Sequence, residues 1–213
     1  MYLKKDNHEG NLYKGMNYLV LKRLMDINIS VLGLIILFPI MALVAAAIKL
    51  DSDGTILFKQ KRLGKHKKEF YILKFRTMTT NTPDNVPTDQ LQNSHMLITR
   101  VGAFLRKTSL DELPQLINII KGDMSIIGPR PQLPNQIELT QLRDDVSAFD
   151  VCPRLTGLAQ ISGRDELSND QKAWFDGQYV TNIGLKMDVV CFIRTIFKVI
   201  SSDGVVEGKK NHK

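Results

Sequence analysis

The sequence predicts an α+β, helix-dominated fold seated on a membrane. The expected form is a monotopic protein with an N-terminal re-entrant helix, interfacial amphipathic helices and a small β-sheet. Three observations carry this. Residues 27–48 form a run of 22 residues without a charge. Basic residues flank that run on both sides, with Lys14, Lys22 and Arg23 before it and Lys49, Lys59, Lys61 and Arg62 after it. Two short aromatic and β-branched stretches follow at 56–58 and 70–75, with Gly64 between them, which is the pattern of a hairpin.

The apolar run comes first in the chain. As a straight helix it would span roughly 33 Å, about one hydrocarbon core. A buried core helix is the plainer alternative, but such helices are seldom apolar on every face. A cleaved signal is the other, with Ala45, Ala46 and Ala47 as the small-residue site; the run is longer than such signals use. Pro39 lies inside the run and removes one backbone hydrogen bond there. Basic residues favour the cytoplasmic side, and both ends are basic. A helix bent at Pro39 would therefore enter and leave by one face. The expected organisation is an extension over 1–20, the membrane segment over 21–50, one domain over 51–207 and a basic tail over 208–213.

Composition narrows the classes. The chain has 213 residues, 43% hydrophobic and 24% charged, which suits a folded domain with its own core. Two cysteines, Cys152 and Cys191, exclude a disulfide scaffold and a four-cysteine zinc site. Lys and Arg number 29 against 22 Asp and Glu, a net charge of +7, so an anionic partner is expected: phospholipid, nucleic acid or a phosphorylated substrate.

Further along, residues 59–68 carry six basic residues and no acid, and read as a solvated turn or a headgroup contact. Residues 79–95 read as a polar loop. Residues 101–121 read as helical, stopped by Gly122, and Leu133 to Phe149 as an amphipathic helix. The last strong helix runs from Asp188, its expected cap, to Ile200. Its Phe-rich face with Arg194 and Lys198 suits either a membrane interface or the core.

There is no phosphate loop of Walker or Rossmann spacing, no two-histidine zinc motif and no nucleophile elbow. What remains is acid and arginine. Asp111 and Glu112 stand side by side after Arg106 and Lys107 and before Pro114. Ser109 and Glu112 have capping-box spacing, so helix capping is one reading. Pro114 suits the first helical position better, which makes Leu113 the cap and leaves both acids free ahead of the helix. Capping and chemistry stand about even on these residues alone. The chemistry they suit is phosphoryl transfer: one carboxylate attacks phosphorus, its neighbour holds Mg²⁺, and arginines neutralise the charge. Candidate cations are Arg130 between two prolines, Arg164 in a Gly-containing turn, and Lys74 and Arg76 at a strand end.

In order, these stretches resemble the bacterial sugar transferase family, the monotopic phosphoglycosyl transferases. The resemblance rests on Lys22-Arg23-Leu24-Met25-Asp26, on Phe58, Gln60, Arg62 and Gly64, and on Lys74-Phe75-Arg76-Thr77-Met78. It continues through Leu110-Asp111-Glu112-Leu113-Pro114-Gln115, Lys121-Gly122-Asp123-Met124-Ser125 and Gly128-Pro129-Arg130-Pro131. It ends with Thr156-Gly157-Leu158-Ala159-Gln160, Gly163-Arg164 and the series Asp176, Tyr179, Asn182, Asp188. The resemblance covers about residues 21–205 and looks like the family's minimal form.

It implies that Asp111 attacks a UDP-sugar, releases UMP and keeps a covalent phosphosugar. Undecaprenyl phosphate then takes the phosphosugar, beginning exopolysaccharide, capsule or glycoconjugate assembly. Glu112, with Asp111, would hold Mg²⁺. Arg106 and Arg164 match phosphate-binding positions, Arg130 a nucleotide contact, and Lys74, Arg76, Asp176 and Tyr179 belong to the substrate-binding set. The implied place is the cytoplasmic face of a bacterial cell membrane, with a lipid bilayer as partner, no nucleic acid, and a homo-oligomer compatible with it. Two departures stand out: Phe38 where many relatives have Ser before the proline, and Cys152 and Arg154 around Pro153, where relatives have a basic residue and Gly.

Other classes make different predictions. A recruiting module for nucleic acid or lipid gives no reason for paired acids beside cations. A membrane-anchored nuclease would share the metal but turn over nucleic acid. A structural membrane subunit would use the acids only as caps.

Overall fold

The computed structural model describes residues 8–83, 94–163 and 166–201. Helix α1 (His8–Asp51) opens the chain and is followed by an antiparallel hairpin of β1 (Leu57–Leu63) and β2 (Glu69–Phe75). Next come α2 (Ser94–Leu97), α3 (Arg100–Thr108), a 3₁₀ turn (Leu110–Glu112) and α4 (Gln115–Lys121). The second half holds β3 (Ser125–Ile127), α5 (Ile137–Asp145), β4 (Arg154–Thr156), α6 (Leu158–Ser162), α7 (Asn169–Thr181) and α8 (Leu185–Ser201). The fold is α+β and dominated by helices, with two small sheets.

The hairpin lies where expected, with Leu57 opposite Phe75 and Leu63 opposite Glu69. The basic stretch is not one turn. Lys59, Lys61 and Arg62 lie on β1, and only residues 65–67 form the 3₁₀ turn. Arg62 points inward, donating to the Pro131 carbonyl and the Gln60 side chain. The expected helix over 101–121 is broken in two: Ser109 is left-handed (φ 57°) and ends α3, while Gly122 (φ 97°) ends α4 as expected. The Leu133–Phe149 helix shrinks to α5, because residues 133–136 turn and 148–150 tighten to 3₁₀.

The parallel pair β3–β4 was not expected. Its strands have three residues each, too few for a periodic signal, and a backbone contact closes them. A Cβ at Gly157 would come 1.8 Å from the Gly128 carbonyl oxygen, so only glycine lets these segments meet. That contact sets the Arg130 loop beside α6.

Two apolar clusters form the core. Ile72, Leu116, Ile119, Met124, Ile126, Ile127, Ile161, Tyr179 and Cys191 make one; Val44, Ile48, Phe75 and Leu105 make the other. Strand β2 joins them, giving Ile72 to the first and Phe75 to the second. The loop expected over 79–95 falls largely outside the described residues, as does the tail from Gly208.

Helix α1 is long and apolar enough to cross a membrane, by length and composition. It runs helically through Pro39. Much of its apolar run is bare: Ile35 is 67% exposed, Phe38 69% and Leu43 73%. Ser30 is buried with no hydrogen-bond partner, so it does not serve the carbonyl that Pro39 frees. Polar side chains bind α1 to the rest of the fold. Lys22 pairs with Asp188, which also accepts from Tyr18 at 2.7 Å. Arg23 donates to the Ile119 and Ile120 carbonyls near the end of α4, where a cation suits the helix dipole. Asp26 accepts from the Ser125 hydroxyl and the Ile126 amide. At the far end, Asp51 accepts from the Val101 amide at the start of α3.

Asp188 was expected to cap the last helix. It lies inside the first turn instead, because Lys22, Tyr18 and Tyr179 claim its carboxylate. Removing one partner of a buried ion pair leaves a buried charge uncompensated. Asp188→Ala should therefore cost about 3–5 kcal/mol, measured by denaturant unfolding in detergent; a change below about 0.5 kcal/mol would contradict this account.

Candidate active site

The left-handed turn at Ser109 redirects the chain so that the 3₁₀ turn delivers Asp111 and Glu112 inward, each 8% exposed. The Ser109 side chain makes no capping hydrogen bond, so the capping-box reading fails. The acids precede α4, whose cap is Pro114 rather than Leu113. Here the proline is the last residue before the helix, one position earlier than its favoured place.

Three cations converge on the acids. Lys74, from β2, puts its Nζ 2.7 Å from Glu112 Oε1 and 3.5 Å from Asp111 Oδ2. Arg130, from the loop after β3, puts Nη2 2.7 Å from the same Glu112 oxygen. Arg106, from α3, lowers the Asp111 pKa through space. The two acids respond differently. Burial pushes the Asp111 carboxyl above its ordinary range, and Lys74 only partly offsets this. Burial also opposes the Glu112 charge, but Arg130 and Lys74 outweigh it and hold that carboxyl well below the usual range.

The pair sits between two cavities. Asp111 lines a polar one of about 280 Å³, with Lys74, Arg76, Arg106, Arg62 and several threonines. Glu112 and Arg130 line the other, about 400 Å³ and largely apolar, walled by α1, α6 and α8. Neighbouring carboxylates in one turn thus face chemically different spaces.

The expected site residues divide into three groups. Lys74, Arg106, Asp111, Glu112 and Arg130 come together. Arg76 reaches the polar cavity wall, but its guanidinium donates to Ser52 and to the Asp53 carbonyl. Arg164 lies outside the described residues. Asp176 and Tyr179 are fully buried and line neither cavity. Asp176 holds Arg143 at 2.7 and 2.8 Å, and Arg143 in turn donates to the Arg130 carbonyl at 2.9 Å. The Tyr179 hydroxyl meets Asp188 at 2.7 Å and accepts from Arg154. Both residues are supports behind the site. Arg154 is likewise a buried tie, donating to Ile127 and Cys152 carbonyls.

The sequence reading missed Arg143 altogether. It also missed the inward roles of Lys22, Asp26 and Asn118. Asn118 pins β2 to α4 by accepting from the Leu73 amide and donating to the Tyr71 carbonyl. The only signal was a charge or amide on an apolar-spaced face, which does not name a partner.

The fold is thus helix-dominated α+β with one long bare apolar helix, and it carries a buried acid pair ringed by cations. The bacterial sugar transferase family model matches residues 17–202, and the chain belongs to that family. It is 41% identical over 201 residues to the exopolysaccharide production protein ExoY of Sinorhizobium fredii, covering 86% of this chain and 87% of that protein. It is 39% identical over 196 residues to the UDP-glucose:undecaprenyl-phosphate glucose-1-phosphate transferase of Escherichia coli, covering 86% of this chain and 41% of that one. It is 38% identical over 199 residues to the undecaprenyl-phosphate galactose phosphotransferase of Salmonella typhimurium, again 86% and 41%. The chain thus spans about two-fifths of these longer relatives.

Proposed function

We propose that the protein transfers a sugar phosphate from a UDP-sugar to undecaprenyl phosphate, releasing UMP and forming undecaprenyl diphosphate sugar. The observation that carries this is the acid pair: buried, ringed by Lys74, Arg106 and Arg130, and set between a polar and an apolar cavity. The relatives' names supply the lipid acceptor and the exopolysaccharide setting.

An Asp111 carboxylate oxygen attacks the sugar-bearing phosphorus. The bond from that phosphorus to the bridging oxygen breaks, and UMP leaves. The acceptor's phosphate oxygen then attacks the same phosphorus, and the bond to Asp111 breaks, restoring the carboxylate. Lys74 and Arg106 orient the donor's phosphates in the polar cavity, with Arg164 expected to join them. Arg130 stays charged throughout and holds the Glu112 carboxylate in place.

The donor set suits Mg²⁺. Two adjacent carboxylates offer hard oxygens, and no group of three or more acids, histidines or cysteines occurs among the described residues. An ion of this kind takes few protein ligands and is completed by substrate phosphates. Glu112, with Asp111, would hold it, and it would neutralise phosphate charge.

The membrane segment fits a monotopic seat at the cytoplasmic face. Residues at both ends of the apolar run touch the same domain, Lys22 and Asp26 on one side and Ile48 and Asp51 on the other. A domain gripping both ends lies along the helix, which favours entry and exit by one face. The exposed apolar residues of α8, Phe192, Ile193 and Phe197 among them, extend that surface.

Nucleotide analysis over a panel of UDP-sugars, with Mg²⁺ and undecaprenyl phosphate, tests the reaction. UMP is the expected product, and the responding sugar identifies the donor. UDP release would replace phosphosugar transfer with ordinary glycosyl transfer.

A further inference from the structure

We propose that the apolar cavity seats the first isoprenoid units of the acceptor, and that Gln160 supplies its polar contact to the acceptor phosphate. This rests on the transfer reaction proposed above. The cavity holds about 400 Å³ and is walled by Leu37, Leu113, Leu155, Phe192 and Ile196. Those side chains come from α1, β4, α8 and the turn that carries the acids, so the space lies where helices with exposed apolar faces meet the site. Glu112 and Arg130 belong to the same wall. An occupant must therefore be apolar along its length and anionic at one end, as a prenyl phosphate is.

Gln160 is the wall's anomaly. It is 9% exposed, and neither its amide oxygen nor its amide nitrogen has a hydrogen-bond partner. Nearby hydroxyls behave differently: Thr156 and Thr195 bond to each other at 2.7 Å. A buried amide left unpaired is destabilising, and such groups need an explanation. Gln160 lines the cavity while both its amide atoms are covered from solvent. Rotation about its terminal torsions, which are soft, turns its N–H groups toward a phosphate oxygen. Arg130 and Gln160 then share the phosphate as charged and neutral donors.

The full chain in lipid nanodiscs separates the two half-reactions. UMP released without acceptor reports the donor step; lipid-linked sugar formed against undecaprenyl phosphate concentration reports the acceptor step. Gln160→Leu should retain the UMP burst and raise the apparent acceptor KM by about tenfold, the worth of one hydrogen bond to a charged group. Ile196→Trp, which fills the cavity from the α8 side, should give the same split. An unchanged acceptor KM in Gln160→Leu overturns the role of Gln160, and an unchanged KM in Ile196→Trp overturns the seat. Absence of a UMP burst in the unmodified protein overturns the transfer reaction itself. If Gln160→Leu does not fold, Ile196→Trp still decides the seat, and Gln160→Glu, which would repel phosphate, decides the contact by the same KM.

Discussion

Asp111→Asn is expected to lower phosphosugar transfer by at least about 10³-fold while leaving the protein at least as stable. An amide cannot supply the attacking oxyanion, so the UMP burst disappears along with turnover. The stability half follows from burial. The folded-state pKa of Asp111 lies above its unfolded value of about 3.9, so the ionised form opposes folding at neutral pH. Asn removes that buried charge. In the metal-free protein the same shift means that Asp111 takes up its proton above the ordinary carboxylate range. Single-turnover UMP release and thermal unfolding, run on the same sample, check both halves. An active Asn variant would remove Asp111 from the chemistry.

Glu112→Gln should behave in the opposite way. Its carboxylate is the shared counter-charge of Lys74 and Arg130, and those cations hold it ionised despite burial. Gln leaves two cations facing each other with only Asp111 nearby. The expected loss is about 1–3 kcal/mol, together with loss of transfer. For a carboxyl with a depressed folded pKa, the contribution is complete above the unfolded value of about 4.3 and disappears as pH falls toward the folded one. The gap between parent and variant in denaturant midpoint should therefore be constant from pH 7 to 5 and shrink below about pH 4. A gap that grows in acid would assign the stability to other groups.

The parts legible in the sequence were those written in local pattern. The apolar run, the hairpin over 57–75 and the stop at Gly122 follow from spacing and turn chemistry, while the acids ahead of a helix were one of two even readings. The parts that escaped depend on contacts distant in sequence. Strands β3 and β4 exist because Gly157 can press against Gly128. Asp188 has the sequence context of a cap, yet a lysine on α1 claims it. Asp176 and Tyr179 were expected at substrate from the family resemblance, but Arg143 and Arg154 draw them into the interior. In the first case a backbone approach between distant glycines made the contact, and in the others a buried charge selected its partner; one-dimensional spacing encodes neither.

The grip of α1 on the last helix also bears on how the protein is made. Lys22 and Asp188 are 166 residues apart. At about 5–20 residues per second, a ribosome takes about 8–33 seconds to bring the second into existence after the first. Through that interval Lys22 lacks its mate, and for the first part of it Asp26, 99 residues before Ser125, lacks its own. The charged shoulder of α1 is therefore made long before the helix that neutralises it, and its buried place in the fold is completed only when α8 has been synthesised.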